Sequence, residues 1–354
     1  MKNVYKPVFY RPDSDADNSA FYTLFNSPTC FNYDTIRTQI VELLACRNPS
    51  LPKQEILNQN MVEDHLATSK QSIENYGVWV HYPWKNQLVH ILDEEEFIEV
   101  RTNRNKYKIT QEEQDLLRTK KVGIIGLSVG RAVATTIALE RIAGEIRLAD
   151  FDDIELSNLN RIKTPLIELG KNKAISAAQE IAEIDPYLNV ICYCDGYTDE
   201  NAEDFFNLGG KMDLLVEECD DIRTKVESRL MARKLQIPVV METNDNCIID
   251  IERFDLEQDR ELFHGKLGDD LIDKIVNGNV EINKVEVVSK IVDFDKISPR
   301  MKMSLNSINK EIRSWPQVAS EVIYGAGRVS EIVKEILLKS STTSGQFTYS
   351  NVYA

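Results

Sequence analysis

The sequence is poor in the groups from which proteins build zinc sites and disulfide frameworks. It contains six cysteines and four histidines; the cysteines form no CxxC pair, and the histidines lie far apart. The cysteines are Cys30, Cys46, Cys192, Cys194, Cys219 and Cys247. Structural zinc needs several closely spaced Cys or His ligands, and secreted disulfide proteins show regular cysteine spacing. We therefore expect a reduced protein that binds no zinc.

A basic surface and a long apolar segment are also missing. Lys and Arg number 42 against 57 Asp and Glu, so the net charge is −15, which does not favour nucleic acid or an anionic membrane as a partner. No run of about 18 apolar residues is present, and residues 1–18 lack the apolar core of a signal peptide. We expect a cytoplasmic protein with no nucleic-acid or membrane partner.

The chain is long enough for one large domain or two ordinary ones, and its composition changes along its length. Residues 1–95 are mixed: they predict a helix over 33–47 and two short strands joined near 83–86. The sequence after about 250 is charged and irregular until a helical pattern at 326–340. We predict a small α+β N-terminal region over 1–95 and a larger domain over 96–354, with a C-terminal extension from about residue 250.

The middle of the chain alternates short apolar runs with helical patterns. The runs are KVGIIG, EIRLAD, NVICYC, DLLVEE and IPVVME, between residues 121 and 242. Wholly apolar strands alternating with helices are typical of a mostly parallel sheet covered on both faces. The predicted fold class is α/β, with a Rossmann-like, doubly wound sheet.

A glycine-containing turn follows the first of these strands, in GIIGLSVGRAVATTIAL. Gly126 permits the turn, which continues through Ser128 to Gly130, where a helix begins; backbone amides at such a helix start form a cradle for phosphate. The turn alone is a degraded dinucleotide fingerprint, and a simple packing turn is the other interpretation. Asp150 ends the second strand about 20 residues further on, where a carboxylate can accept both hydroxyls of a ribose. Together these residues indicate an adenine nucleotide.

Polar and basic residues follow Asp150 in unusual density. Asp152 lies two residues further on, SNLNR supplies Asn158 and Arg161, and Lys173 lies near the start of the next predicted helix. Dinucleotide oxidoreductases have no general need for such cations here, whereas the phosphates of a nucleoside triphosphate must be neutralised. A single Arg or Lys is usually a solvated surface charge, but the combination favours ATP over NAD.

These motifs resemble those of the ThiF/MoeB/E1 family, the adenylyltransferases that activate ubiquitin-like proteins and related carboxylates. The resemblance covers about 101–245 and rests on GLSVGR, ADFDDIELSNLNR, GKNK and EECDDIRTK. It implies that Asp150 holds the ribose, Asn158 and Arg161 the phosphates, and Lys173 the α- and β-phosphates. Asp220 takes the place of the family's metal-positioning Asp and is the expected Mg²⁺ ligand, while Asp221 replaces the family's Asn.

The family also has an R-x-x-R motif before the first strand, which here is Arg101 and Arg104. In the family the second arginine reaches across a two-fold interface into the neighbouring ATP site. The resemblance therefore implies a homodimer in which Arg104 acts in trans, a role suited to a permanently charged guanidinium. The other interpretation of Arg104 is a surface charge.

The whole chain further resembles a bacterial branch of ThiF-like proteins, which share motifs similar to GVWVHYPW, EIDPYLNV, ERFDLE and SWPQVAS. Some of those proteins carry a nitroreductase-like domain after the ThiF unit. No complete flavin domain fits in this sequence after that unit, so we expect no flavin. The zinc-binding CxxC pairs of many relatives are absent. The expected cofactors are thus ATP and Mg²⁺ alone.

The predicted activity is adenylation of a substrate carboxylate, with the C-terminus of a ubiquitin-like protein or a peptide as candidate substrates. An NAD(P)-dependent oxidoreductase and a catalytically silent, dimeric ThiF-fold binding module remain as alternatives. Whether a thioester or persulfide forms on Cys247 or Cys219 is left open. Cys247 has no basic partner nearby in sequence, and Cys219, at a strand end, is expected to be buried.

Overall fold

The computed structural model describes residues 4–278, 283–339 and 341–349. The chain divides into two compact units. The first comprises residues up to Gln111 together with 182–187, and the second comprises the rest. No helix in these described ranges combines the length and apolar character needed to cross a membrane.

The first unit is a small α+β structure, as predicted. Its elements are β1 Val8–Tyr10, α1 Asn18–Phe25, β2 Phe31–Asp34, α2 Ile36–Arg47, α3 Lys53–Asn58, α4 Met61–Ser69, β3 Val78–Tyr82, β4 Gln87–Ile91 and α5 Glu94–Arg101. The sheet order is β1-β3-β4-β2. β3 and β4 form the antiparallel pair predicted around 83–86, with Val80 opposite Val89. The division at 95/96 stays a prediction about domains; α5 spans it, and the compact unit continues to Gln111.

The second unit is built on a mostly parallel sheet. The elements of its first part are α6 Gln111–Leu117, β5 Lys121–Ile125, α7 Gly130–Glu140, β6 Glu145–Ala149, α8 Lys173–Ile184, β7 Asn189–Tyr193, α9 Ala202–Asn207, β8 Leu214–Glu217, α10 Ile222–Leu235 and β9 Val239–Glu242. All five strands predicted from apolar runs are present, and they run parallel. Helices pack against both faces, which is why β5, β6 and β8 are almost wholly buried.

The tail after β9 contributes to the same sheet, which its charged sequence did not predict. Its elements are β10 Ile248–Glu252, α11 Asp269–Asn277, α12 Lys284–Val292, α13 Pro299–Ser304, α14 Ala319–Leu337 and β11 Gly345–Thr348. β10 and β11 add two antiparallel strands at one edge, beside β9. Residues 326–337 of the helix predicted at 326–340 form the C-terminal part of α14, and Ser340 lies outside the described residues.

The strand order fixes where a ligand can bind. The sheet runs β11-β10-β9-β8-β5-β6-β7. The chain moves outward from β5 through β6 and β7, and then crosses to the other side of β5 to form β8 and β9. In doubly wound sheets the crevice at such a reversal, outside the carboxyl ends of the strands, is the usual binding site. Here the reversal lies between β5 and β8.

Candidate functional site

A cleft of about 510 Å³ lies at the carboxyl ends of β5, β6 and β8. Its volume is within the usual range for a small-molecule site. Eight predicted site residues line it: Gly126, Ser128, Asp150, Asp152, Asn158, Arg161, Lys173 and Asp220. Gly130, also predicted, is the first residue of α7 and is not among the lining residues. Arg104 is an exposed residue in the 3-10 turn Asn103–Asn105 of the first unit.

Gly126 gives the turn after β5 its shape. Its φ is +85°, which side chains other than glycine rarely tolerate. A Cβ at this position would lie 2.6 Å from the backbone nitrogen of Cys219. The turn can therefore approach the end of β8 only because residue 126 is glycine, and this approach forms the floor of the cleft.

Asp150 is fixed by the backbone on both sides. One carboxylate oxygen accepts a hydrogen bond from the Leu127 amide at 2.6 Å, and the other accepts from the Asp152 amide at 2.9 Å. Burial raises the pKa of the Asp150 carboxyl, and the Lys173 ammonium opposes that shift. Since a carboxylate offers about four acceptor positions, Asp150 keeps acceptor capacity for hydroxyl groups of a ligand.

Lys173 opens α8, as the sequence predicted. The Asn172 side chain caps the helix by accepting from the Ala174 amide at 3.0 Å. The Lys173 ammonium lies 2.7 Å from an Asp152 carboxylate oxygen and 4.0 Å from one of Asp150. The lysine side chain is 8% exposed, whereas that of Asp152 is 53% exposed. The Lys173 ammonium is thus buried at the cleft and paired with the Asp152 carboxylate. Because Asp152 is exposed, solvent or a ligand can replace it as the partner of Lys173.

Arg161 lies over the glycine turn. The segment before it makes the 3-10 turn Leu156–Asn158, in which the Asn158 side-chain oxygen accepts from the Glu155 amide at 3.0 Å. Arg161 Nε donates to the Ser128 hydroxyl at 2.9 Å. Burial lowers the pKa of the Arg161 guanidinium, and the Asp220 carboxylate opposes this. The sequence motif therefore places a partly buried cation beside the predicted phosphate cradle.

The two adjacent aspartates after β8 have different roles. Asp221 caps α10, because its side chain accepts from the Thr224 amide at 2.8 Å. Asp220 is exposed and faces the cleft. Within the described ranges no group of three or more His, Cys, Asp or Glu side chains could hold a metal ion by itself. One carboxylate combined with phosphate oxygens is, however, the usual environment of Mg²⁺ in nucleotide sites, and Asp220 fits that requirement.

Arg131, which replaces a glycine of the dinucleotide fingerprint, is buried away from the cleft. Its guanidinium donates to Glu180 at 2.8 Å and to the Ser176 hydroxyl at 3.0 Å. It therefore ties α7 to α8. These contacts give Arg131 a packing role between the two helices.

Neither candidate cysteine has the environment of a nucleophile. Burial, together with the nearby Glu217 carboxylate, raises the pKa of the Cys219 thiol well above its usual value. Burial also raises the pKa of the Cys247 thiol to about 12. The thiolate is the reactive form, and both residues hold their protons at neutral pH.

Two buried acids beside the cleft were not anticipated from the sequence. Glu218 follows β8 and Glu242 ends β9, and a Glu218 carboxylate oxygen accepts from the Glu242 amide at 3.0 Å. They are 8% and 5% exposed. The consecutive acids at 217 and 218, directly after an apolar strand, were the signal that could have identified this pair.

Sequence comparison matches residues 101–244 to the ThiF family. The chain is 41% identical over 274 residues to the uncharacterized protein MT1398 of Mycobacterium tuberculosis (strain CDC 1551 / Oshkosh), which covers 77% of this chain and 38% of that protein. It is 30% identical over 156 residues to tRNA threonylcarbamoyladenosine dehydratase of Bacillus subtilis (strain 168), covering 44% of this chain and 60% of the relative. The chain thus spans less than two thirds of the length of either curated relative.

Solved structures share the fold. The crystal structure of E. coli tRNA N6-threonylcarbamoyladenosine dehydratase, TcdA, in complex with AMP superposes with a TM-score of 0.51 at 18% identity, covering 70% of this chain and 97% of that one. The complex of the same enzyme with ATP gives a TM-score of 0.50 at 17% identity, covering 70% and 96%. The predicted Rossmann-like class is thereby confirmed.

Proposed function

We propose that this chain, whose residues 101–244 match the ThiF family, uses ATP to adenylate a substrate carboxylate. The observation that carries the proposal is the convergence of Asp150, Arg161 and Lys173 on one cleft. A fixed carboxylate suits a ribose, and two buried or partly buried cations suit a polyphosphate. The triphosphate of ATP carries more negative charge than the pyrophosphate of NAD, so this concentration of cations favours ATP.

In the proposed reaction an oxygen of the substrate carboxylate attacks the α-phosphorus of ATP. A new acyl O–P bond forms, the bond from the α-phosphorus to the α–β bridging oxygen breaks, and pyrophosphate leaves with the bonding electrons. Arg161 and Lys173 neutralise the phosphates, while Asp150 fixes the ribose. Catalysis of this kind depends on positioning and charge neutralisation rather than on a covalent enzyme intermediate, which agrees with the protonated state of Cys219 and Cys247.

Asp220 is the proposed ligand of the Mg²⁺ ion that accompanies ATP. Bound Mg²⁺ would offset the negative charge of the phosphates. Asp220 is suited to this because it is exposed in the cleft and close enough to Arg161 to influence the pKa of that guanidinium. We assign it no other catalytic role.

The proposed substrate is the C-terminal carboxylate of a peptide or of a ubiquitin-like protein. The Bacillus relative is named as an enzyme of a tRNA nucleoside, but a net charge of −15 does not favour a polyanionic partner here. We also propose that the protein is a homodimer in which Arg104 completes the site of the neighbouring subunit. The permanent charge and exposure of Arg104 support that role.

The proposal is tested by ATP–pyrophosphate exchange in the presence of peptides with free C-terminal carboxylates. We expect peptide-dependent exchange that Lys173→Ala abolishes, because the cleft loses its buried ammonium. Lys171→Ala is the matched control: Lys171 pairs with Glu168 and Gln179, outside the cleft, and its loss should leave exchange intact. Unimpaired exchange in folded Lys173→Ala protein would refute the assignment of that residue.

A further inference from the structure

A second cavity, of about 120 Å³, adjoins the nucleotide cleft at the ends of β8 and β9. The two spaces share Glu218, Cys219 and Asp220 in their walls. The far wall comes from the C-terminal extension and is apolar: Val288, Ile291, Val292, Ile297, Met301 and Trp315. A group of side-chain size in this cavity can therefore belong to the same molecule as a ligand bound in the cleft.

The polar wall of the cavity holds buried groups that have no hydrogen-bond partner among the described residues. They are both carboxylate oxygens of Glu242, the Thr243 hydroxyl, and the side-chain oxygen and nitrogen of Asn244. Glu242 and Asn244 are each 5% exposed. Because buried polar groups in folded proteins are nearly always hydrogen-bonded, a cluster of unsatisfied ones lining a cavity indicates a missing ligand.

Lys225 is the cation in the wall of this cavity, and its charge is already compensated. Its ammonium lies 3.0 Å from Glu217, Glu217 lies 2.6 Å from Arg229, and Arg229 lies 2.6 Å from Glu252. Burial would raise the pKa of Glu217, but the two cations lower it to about 2. These two cations and two acids form a buried chain with no net charge.

Three other acids at the cavity have no such partner. Glu218, Glu242 and Asp245 are each at most 8% exposed, and none of them is in an ion pair with the described residues. Asp245 accepts from the Ser298 amide at 2.7 Å, and Glu218 accepts from the Glu242 amide. The cavity is thus a buried acidic site in which these three acids have no ion-pair partner among the described residues.

We propose that this cavity binds an ammonium group of the substrate, so that the enzyme selects a carboxylate that also carries an amine. An ammonium offers three donors and no acceptor, which matches the free oxygens of Glu242 and the side-chain oxygen of Asn244. The apolar wall accommodates the methylene groups between amine and carboxylate. The inference rests on the proposed function, because it places the carboxylate of the same molecule in the nucleotide cleft.

Binding of an ammonium here has a proton signature. Burial, followed by the Glu321 and Asp245 charges, raises the pKa of Glu242 to about 8. At pH 7 the Glu242 carboxyl is therefore mostly protonated in the free protein, and a bound cation favours its ionised form. Binding should release a proton.

The test is isothermal titration of the whole protein at pH 7 with three carboxylates of similar length: 5-aminopentanoate, hexanoate and 4-carbamoylbutanoate. Repeating each titration in buffers of different ionisation enthalpy counts the protons released. We expect 5-aminopentanoate to bind about tenfold or more tightly than hexanoate, with net proton release. Glu242→Gln should remove both the preference and most of the proton release. Glu335→Gln, a loss of the same charge at an exposed position of α14, should change neither.

Several results would overturn the inference. Equal affinity for 5-aminopentanoate and hexanoate, or no binding of any probe, would show that the acids select nothing. Tighter binding of 4-carbamoylbutanoate without proton release would identify an amide pocket instead. A parallel titration with ATP distinguishes failure of this inference from failure of the proposed function. Binding of ATP without selection for the amine refutes only the ammonium site. Binding of the amine without binding of ATP refutes the proposed adenylation.

Discussion

The uncompensated burial of Glu242 should make the protein less stable than its Glu242→Gln variant at neutral pH. Gln resembles the protonated form of Glu in size and polarity, so the substitution removes the ability to ionise and little else. In the unfolded chain the Glu242 carboxyl has its ordinary pKa of 4.5, whereas in the folded protein burial raises the pKa to about 8. Between these pH values the folded state holds a proton that the unfolded state releases. Stability therefore falls as pH rises through this window.

The size of the effect follows from the same two values. Each pKa unit corresponds to about 1.36 kcal/mol. At pH 7, 2.5 units above the ordinary value of 4.5, the penalty is on the order of 3 kcal/mol. At pH 4.5 or below it is close to zero. We therefore expect Glu242→Gln to stabilise the protein by about 3 kcal/mol at pH 7 and hardly at all at pH 4.5.

Thermal unfolding of the two proteins across this pH range measures the difference. For a unit of this size about 3 kcal/mol corresponds to a rise in Tm of roughly 5–10 °C. Glu335→Gln serves as the control and should follow the wild type at every pH. Two results would contradict this reasoning: a Tm difference between Glu242→Gln and wild type that does not depend on pH, and a variant that is less stable than wild type at pH 7. Either would show that Glu242 is ionised and partnered in the folded protein.

Two further predictions concern the glycine turn and the dimer. Gly126→Ala should destabilise the protein by about 3 kcal/mol or more, because the new Cβ meets backbone at 2.6 Å in a left-handed conformation; urea unfolding checks this, and wild-type stability would contradict the described turn. Arg104→Ala and Asp220→Ala, each inactive alone, should recover activity when co-expressed with different tags. A purified heterodimer has one intact site, so it should show about half of wild-type activity per dimer. An inactive heterodimer would place Arg104 in its own subunit's site.

Much of the fold was predictable, because the parallel strands are buried on both faces. The runs KVGIIG and DLLVEE contain the uninterrupted apolar stretches VGII and LLV, and β5 and β8 are where these predict strands. The site was predictable for a related reason: the carboxyl ends of parallel strands meet at one edge, so residues after separate strands converge. Asp150, Lys173 and Asp220 come from three segments and line one cleft.

The extension after β9 was not predictable, because its buried charges are neutralised by distant parts of the chain. β10 has the sequence IIDIE, and its two acids are not typical of a buried strand. In the structure Glu252 pairs with Arg229 of α10 at 2.6 Å, and Asp250 accepts from His264 at 2.9 Å. Likewise the cavity at Glu242 is acidic because no cation of the described residues pairs with that carboxyl. The spacing of residues in the sequence does not show which side chains pair in the fold.

Binding of ATP in the cleft is measured most directly by isothermal titration with Mg·ATP and, in separate experiments, with NAD⁺ and NADP⁺. We predict saturable binding of Mg·ATP, weakened about tenfold or more by Lys173→Ala and unchanged by Lys171→Ala, with no comparable binding of either dinucleotide. Tight binding of NAD⁺ or NADP⁺ without binding of ATP would contradict the account and favour an oxidoreductase.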